Sequence, residues 1–239
     1  MAVKLFVLGF PGSGKSTISD HTAEYVAERK WSTTHIYDYN ILFQMFKEDT
    51  RKQFRPVGHG GFDVLDWTVL DTALKNLEQR VRMHIATIQL EEIILIEFSR
   101  NDYEGAFSQF TQKFLNDAYF LYLNVDLEVC KKRVRERAVE PNTSNDHYVS
   151  DYIFDVYYYG DDGRDLPQIL KRHYGIDNLR VKVIENNISQ ENFSNLNEQF
   201  KQVERFIDDI IASESQHLRE TEPMRKLTDI KAQGELECN

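Results

Sequence analysis

The sequence predicts a three-layer α/β/α domain built on a five-stranded parallel sheet. Three observations carry that expectation. Apolar strand-like runs alternate with longer amphipathic stretches along the chain. One of those runs, 93–98, begins with four aliphatic residues in a row, as suits a strand covered on both faces. The first run leads directly into a glycine-rich turn and then a helix-like stretch, the strand–loop–helix context of a phosphate-binding loop.

The first strand is expected at 3–8 and a weak second strand at 34–37. The third falls at 93–98, the fourth at 118–125 and the fifth at 180–184. Helices are expected at 15–30, 65–90, 103–115, 127–138 and 190–212. The spatial order that suits this alternation is 2-3-1-4-5. Ligands in such sheets bind beyond the carboxyl ends of the strands, so the residues just after each strand are the informative ones. Two long connections interrupt the alternation. Residues 39–66 form an acceptor-side segment, and the acidic, tyrosine-rich residues 139–178 form a lid insertion; connections of this length are usually functional. The division of the chain is therefore a domain at 1–213 and a polar C-terminal tail at 214–239.

Bulk composition bounds the function. The chain has 239 residues, 41% hydrophobic and 28% charged, enough for one sizeable core. Its net charge of −10 argues against a grip on long nucleic acid and for a small substrate. Cys130 and Cys238 make no disulfide framework, and Cys130 falls on the apolar side of a helix. No apolar run reaches the length of a membrane span, and the chain opens directly into its first strand, so a cytoplasmic protein is expected.

Residues 9–17 read Gly-Phe-Pro-Gly-Ser-Gly-Lys-Ser-Thr, the pattern G-x-x-x-x-G-K-[ST]. Glycines let the backbone wrap a phosphate and aim N–H groups at it, and the helix that follows adds the positive end of its dipole. Gly9, Pro11, Gly12, Ser13, Gly14, Lys15, Ser16 and Thr17 are the candidate nucleotide-binding set. Lys15 reaches the β- and γ-phosphates, and the Ser16 hydroxyl is a candidate Mg²⁺ ligand.

The strand ends supply the rest. Glu97, after four aliphatics, is the second candidate Mg²⁺ ligand. Arg100 can bind a phosphate or carboxylate of an acceptor through both ends of its guanidinium. Asp38 can orient or deprotonate an acceptor hydroxyl. Arg133 and Arg137 share one helix face and can neutralise charge on the transferred group. Asn187, in the Asn-Asn pair after the fifth strand, can read a base edge. Plain alternatives remain open for these residues: a helix cap for Glu97, a surface ion pair for Arg100, a solvated turn for Asp38, a basic solvated face for the arginines and a simple turn for Asn187. Arg51, Arg55, His59 and His147 are weaker candidates for acceptor contact.

These residues together resemble the P-loop small-molecule kinases: the nucleoside and nucleotide kinase group, with gluconate, shikimate, adenylyl-sulfate and zeta-toxin kinases as relatives. The telling set is Glu97-Phe98-Ser99-Arg100, the entry Val125 to Cys130 into a helix carrying Arg133 and Arg137, and Val183 to Asn187. The resemblance implies a three-layer P-loop NTPase fold with a lid, ATP and Mg²⁺ as cofactors, and phosphoryl transfer to a small acceptor. A nucleoside or nucleotide acceptor is favoured. Two other readings stay open: a nucleotide-binding regulatory NTPase or switch, and a kinase acting on a polynucleotide end or a tRNA-bound group. Asn124-Val125-Asp126 is not the Asn-Lys-x-Asp element of guanine recognition, which counts against a GTPase.

Overall fold

The computed structural model describes residues 1–58, 60–139, 148–159, 165–187 and 193–236. Five strands form one parallel sheet: β1 (Ala2–Leu8), β2 (Ser32–Tyr37), β5 (Glu92–Phe98), β6 (Ala118–Asn124) and β7 (Val181–Glu185). Their spatial order is β2-β5-β1-β6-β7, the expected 2-3-1-4-5 once the two strands of a separate hairpin are set aside. That hairpin pairs β3 (Phe54–Pro56) antiparallel with β4 (Phe62–Val64) inside the acceptor-side segment, which also holds α2 (Asp38–Lys47).

The sheet is covered on both faces because its strands alternate two apolar sets. Phe6, Leu8, Ile94, Ile96, Phe98, Phe120 and Tyr122 point to one face. There they meet α3 (Thr68–Ile85), α4 (Tyr103–Phe107), α5 (Gln112–Leu115) and α8 (Leu166–Tyr174). Val3, Leu5, Val7, Ile93, Leu95, Leu121 and Leu123 point to the other, against α1 (Lys15–Ala27) and α9 (Phe193–Leu236). Side chains on a strand alternate with period two, so each strand feeds both layers. Phe6 stacks on Phe120 at 5.0 Å and meets Phe98, Phe107 and Phe114 edge-on, which ties three strands and two helices together.

Several expected bounds change. The helix expected at 103–115 is two short helices, α4 and α5, separated by residues 108–111. Phe110 turns into the core there, and the Glu78 carboxylate of α3 accepts from the backbone N–H of Thr111 at 2.8 Å. The helix expected at 65–90 is α3, confined to Thr68–Ile85. The helix expected at 190–212 is α9, which runs on to Leu236 across the point where the sequence division starts a tail. His59, His147 and Cys238 lie outside the described residues.

Register positions the functional ends. Leu8 pairs with Phe98 and Tyr37 with Glu97, and Asn124 pairs with Glu185. All five strands therefore stop at one rim. The loop after β1, the start of α2, the segment 97–100 and residues 186–187 gather there. A third apolar cluster, with Phe10, Cys130, Val134, Ile153, Phe154 and Tyr158, seats α6 (Leu127–Val139) and α7 (Asp151–Val156) over the same rim.

Candidate functional site

The loop after β1 is held open by geometry that its glycines permit. Gly14 precedes α1 with φ of 97°, and no side chain caps the first N–H groups of that helix. A helix start of this form presents its donors and dipole to an anion. Gly12 has φ of 83°, and a Cβ there would lie 2.6 Å from the Cys130 carbonyl oxygen of α6. The loop and α6 thus approach backbone to backbone, which only glycine allows.

Lys15, 6% exposed, donates to the carbonyl oxygens of Gly9 and Phe10 at 3.0 Å each and to Ser99 Oγ at 2.8 Å. Burial pulls its ammonium below the ordinary lysine value, while the Glu97 carboxylate, 3.8 Å away, works against that pull. The other Glu97 oxygen lies 2.9 Å from His35 Nε2 on the neighbouring strand. Tyr103, fully buried, accepts from the Gly9 N–H at 2.9 Å, and Ser99 Oγ donates to the Gly9 carbonyl at 2.8 Å. Sequence reading missed Ser99 and Tyr103 as supports of the loop and His35 as a neighbour of Glu97. No local pattern marks them, since each meets its partner through sheet register or a helix from elsewhere in the chain.

Asp38 begins α2 directly after β2 and is 6% exposed. Its Oδ2 accepts from Arg100 Nη1 at 2.6 Å. Burial pushes the Asp38 carboxyl above the ordinary aspartate value, and the Arg100 guanidinium pulls in the opposite direction. Arg100 Nη1 also donates to the Ser99 carbonyl at 2.7 Å, and Nη2 donates to the Leu70 carbonyl at 3.0 Å. Both terminal nitrogens of the guanidinium thus have partners within the protein.

Arg133 Nη1 lies 3.3 Å from the Gly12 carbonyl, to which it donates, and its Nη2 donates to the Asn186 carbonyl at 2.9 Å. Arg137, one turn on, lines the same cleft. Asn187, expected to read a base edge, accepts from the Asp126 N–H through its Oδ1 at 2.7 Å, a brace between two loops. Its neighbour Asn186, 7% exposed, touches the phosphate loop by donating to the Ser13 carbonyl at 2.7 Å. Cys130 is a core residue, as its helical position implies, and burial lifts its thiol to about 11.

One cleft of about 340 Å³ joins these groups. Pro11, Gly12, Gly14, Lys15, Ser16 and Thr17 line it together with Asp38, Glu97, Arg100, Arg133 and Arg137. Gly9 and Ser13 belong to the loop, behind that surface. Arg51 and Arg55 are not among the lining residues; Arg55 instead donates to the buried Asp63 carboxylate at 2.5 Å. That carboxylate also accepts from Ser150 Oγ at 2.6 Å, which joins the hairpin to the first turn of α7.

The fold has solved counterparts. The chain is similar to Kti12 from Chaetomium thermophilum in complex with ADP-AlF3, at 16% identity and a TM-score of 0.52, covering 87% of this chain and 98% of that one. The two share a fold: a parallel sheet covered by helices on both faces. The P-loop domain is also matched by the Mycobacterium tuberculosis APS kinase CysC in complex with AMPPNP and APS, at 12% identity, 87% and 98% coverage and a TM-score of 0.49. Shikimate kinase from Acinetobacter baumannii in complex with shikimate matches at 14% identity, 90% and 95% coverage and a TM-score of 0.44. No protein-family model matches the sequence, and neither does any curated protein. Among the described residues no helix is long and apolar enough to cross a membrane.

The donors on the cleft wall suit a hard divalent cation. Ser16 offers a hydroxyl and Glu97 a carboxylate, both oxygen ligands. Among the described residues no group of three or more His, Cys, Asp or Glu side chains gathers as a cage.

Proposed function

We propose that this chain is an ATP- and Mg²⁺-dependent kinase that transfers the γ-phosphoryl group of ATP to a hydroxyl of a small acceptor, with a nucleoside or nucleotide favoured. One observation carries the proposal: the phosphate loop with Lys15 and Ser16 shares a single cleft with the Asp38–Arg100 pair and Glu97. A nucleotide-binding loop alone would serve any NTPase. A buried carboxylate facing the same space supplies what an acceptor alcohol needs.

In this reading the P-loop amides and Lys15 hold the β- and γ-phosphates, and Ser16 and Glu97 hold the metal. Mg²⁺, when bound, draws charge from the phosphate oxygens. Asp38 accepts the acceptor's hydroxyl proton as its oxygen forms a bond to the γ-phosphorus and the bond from that phosphorus to the ADP oxygen breaks. Arg100 fixes the Asp38 carboxylate. Arg133 and Arg137 offset negative charge on the transferred group. Positioning and electrostatics supply most of the rate gain in this chemistry. Burial raises the affinity of Asp38 for a proton, the direction in which a general base is tuned.

The direct test is ATP turnover with a panel of nucleosides, nucleoside monophosphates and sugars. Acceptor-dependent ADP release with phosphorylated product supports the kinase. ATP binding that no acceptor alters supports a regulatory NTPase, and phosphorylation of oligonucleotides that collapses with added salt supports a polynucleotide kinase. Replacing Lys15→Ala is expected to weaken ATP binding by about tenfold or more, equivalent to about 1.4 kcal/mol of phosphate contact. Calorimetric titration measures it, and unaltered affinity removes Lys15 from the phosphate site.

A further inference from the structure

The peptide that joins Ser13 to Gly14 is held by a residue from another strand end. Ser13 is fully buried, and its carbonyl oxygen lies 2.7 Å from Asn186 Nδ2. Two oxygens would repel at that distance, so the Asn186 amide faces the carbonyl with its NH₂ group as donor. Asn186 is itself fixed through its backbone. Its N–H donates to the Asn124 carbonyl at 2.8 Å, one step beyond the pairing of β6 with β7. Its carbonyl accepts from Arg133 Nη2 at 2.9 Å. The side chain packs directly on Gly14, where a Cβ would lie 2.7 Å from Nδ2.

A trans peptide points its C=O and its N–H to opposite sides, and among the described residues no peptide bond is cis. With the Ser13 carbonyl turned to Asn186, the Gly14 N–H turns away from Asn186. Gly14 lines the cleft, and Ser13 lies behind it. Glycine alone does not keep the peptide in this orientation. Turning it over would carry the φ of Gly14 from 97° to negative values, and glycine adopts both. The turned peptide would present a carbonyl oxygen where an anion needs a donor. Asn186 opposes that turn twice. Its NH₂ would lose its acceptor, and it would then face the Gly14 N–H, donor against donor.

We propose that Asn186 is a positioning residue that locks the Ser13–Gly14 peptide with its N–H toward the bound phosphate. It acts through the Ser13 carbonyl rather than by touching the ligand. The proposal rests on the phosphate-loop reading of the same cleft. Inorganic pyrophosphate and Mg·AMPPNP are titrated by calorimetry against the unaltered chain, N186D and N186A. A carboxylate in place of the amide repels the Ser13 carbonyl and accepts the Gly14 N–H, so N186D favours the turned peptide. N186A only releases it. Affinity for both probes is expected to fall by about tenfold or more in N186D and by about threefold in N186A. A merely structural role would instead make the losses follow the drop in melting temperature. Equal or reversed losses overturn the proposal, and so does unaltered affinity in N186D. The chain contains a single Ser-Gly peptide. Labelling serine carbonyl carbon and glycine nitrogen therefore isolates one resonance, that of the 13–14 peptide. In the unaltered chain pyrophosphate is expected to shift its amide proton downfield, and N186D is expected to lose that response. A proton that pyrophosphate leaves unmoved in the unaltered chain overturns the proposal, even where a variant does not fold. Failure of the unaltered chain to bind either probe strikes the phosphate-loop reading instead.

Discussion

At the residue scale the site depends on two buried charges that face different tasks. Lys15 donates to two carbonyls of its own loop and to Ser99. Asp38 is tied to Arg100, and burial keeps its proton affinity above the ordinary value. The folded chain thus binds the Asp38 proton more tightly than the unfolded one. Its contribution to stability is fully present below the unfolded value and is lost as pH rises through the folded value. The proposed reaction requires the opposite, since only the carboxylate accepts a proton. Turnover is expected to fall on the acid side above the usual carboxylate range. Replacing Asp38→Asn is expected to lower kcat by about 10²-fold or more, to leave ATP affinity within about twofold and to remove the acid limb from the residual rate. A pH–rate profile on both proteins checks this, and equal turnover excludes Asp38 as the base.

At the element scale, function depends on helices pressed against loops. Gly12 lets α6 approach the P-loop, with the Cys130 carbonyl where a Cβ would stand. Replacing Gly12→Ala combines that clash with a positive φ that costs about 1–3 kcal/mol in a residue with a side chain. The variant is expected to melt at a lower temperature and to lose the rise in melting temperature that ATP gives the parent protein. A melting curve with and without ATP decides it, and an unchanged shift means that α6 does not shape the loop. Ser150 works at the other margin. Its hydroxyl accepts from Ile153 N–H at the start of α7 and donates to Asp63 in the hairpin. Ser150→Ala is expected to cost about 1 kcal/mol as a lost cap. It should also raise the share of ATP lost to hydrolysis, because α7 then loosens over the cleft. Comparing ADP released with product formed measures that share; an unaltered ratio separates α7 from water exclusion.

At the scale of the whole molecule, two apolar layers fix the sheet, and the sheet fixes the rim. Leu74 of α3 is completely buried within the layer that also holds Ile41 and Leu42 of α2 and Leu70. Leu74→Ala is expected to lower unfolding free energy by about 2–5 kcal/mol. Denaturant titration reads it, and a loss below about 1 kcal/mol would show that this layer packs loosely. The rim gathers groups distant in sequence because parallel strands all end on the same side. That is how Gly9, Asp38, Glu97 and Asn186 come to share one place.

The sequence by itself determined the sheet, its strand order and the phosphate loop. Those are local signals: hydrophobic period, glycine spacing and the residues that follow each strand. Tertiary structure decided the partnerships. Arg100 turned inward to Asp38, Asn186 met the P-loop, Asn187 met the Asp126 N–H, and Arg55 went to Asp63. In each case a buried charge or amide needed a partner from another element, and no local pattern says which element stands near. The aromatic lining of the cleft was hidden for the same reason, since Tyr39, Phe62 and Trp67 belong to α2, the hairpin and the entry to α3. Only packing brings their faces to one cleft.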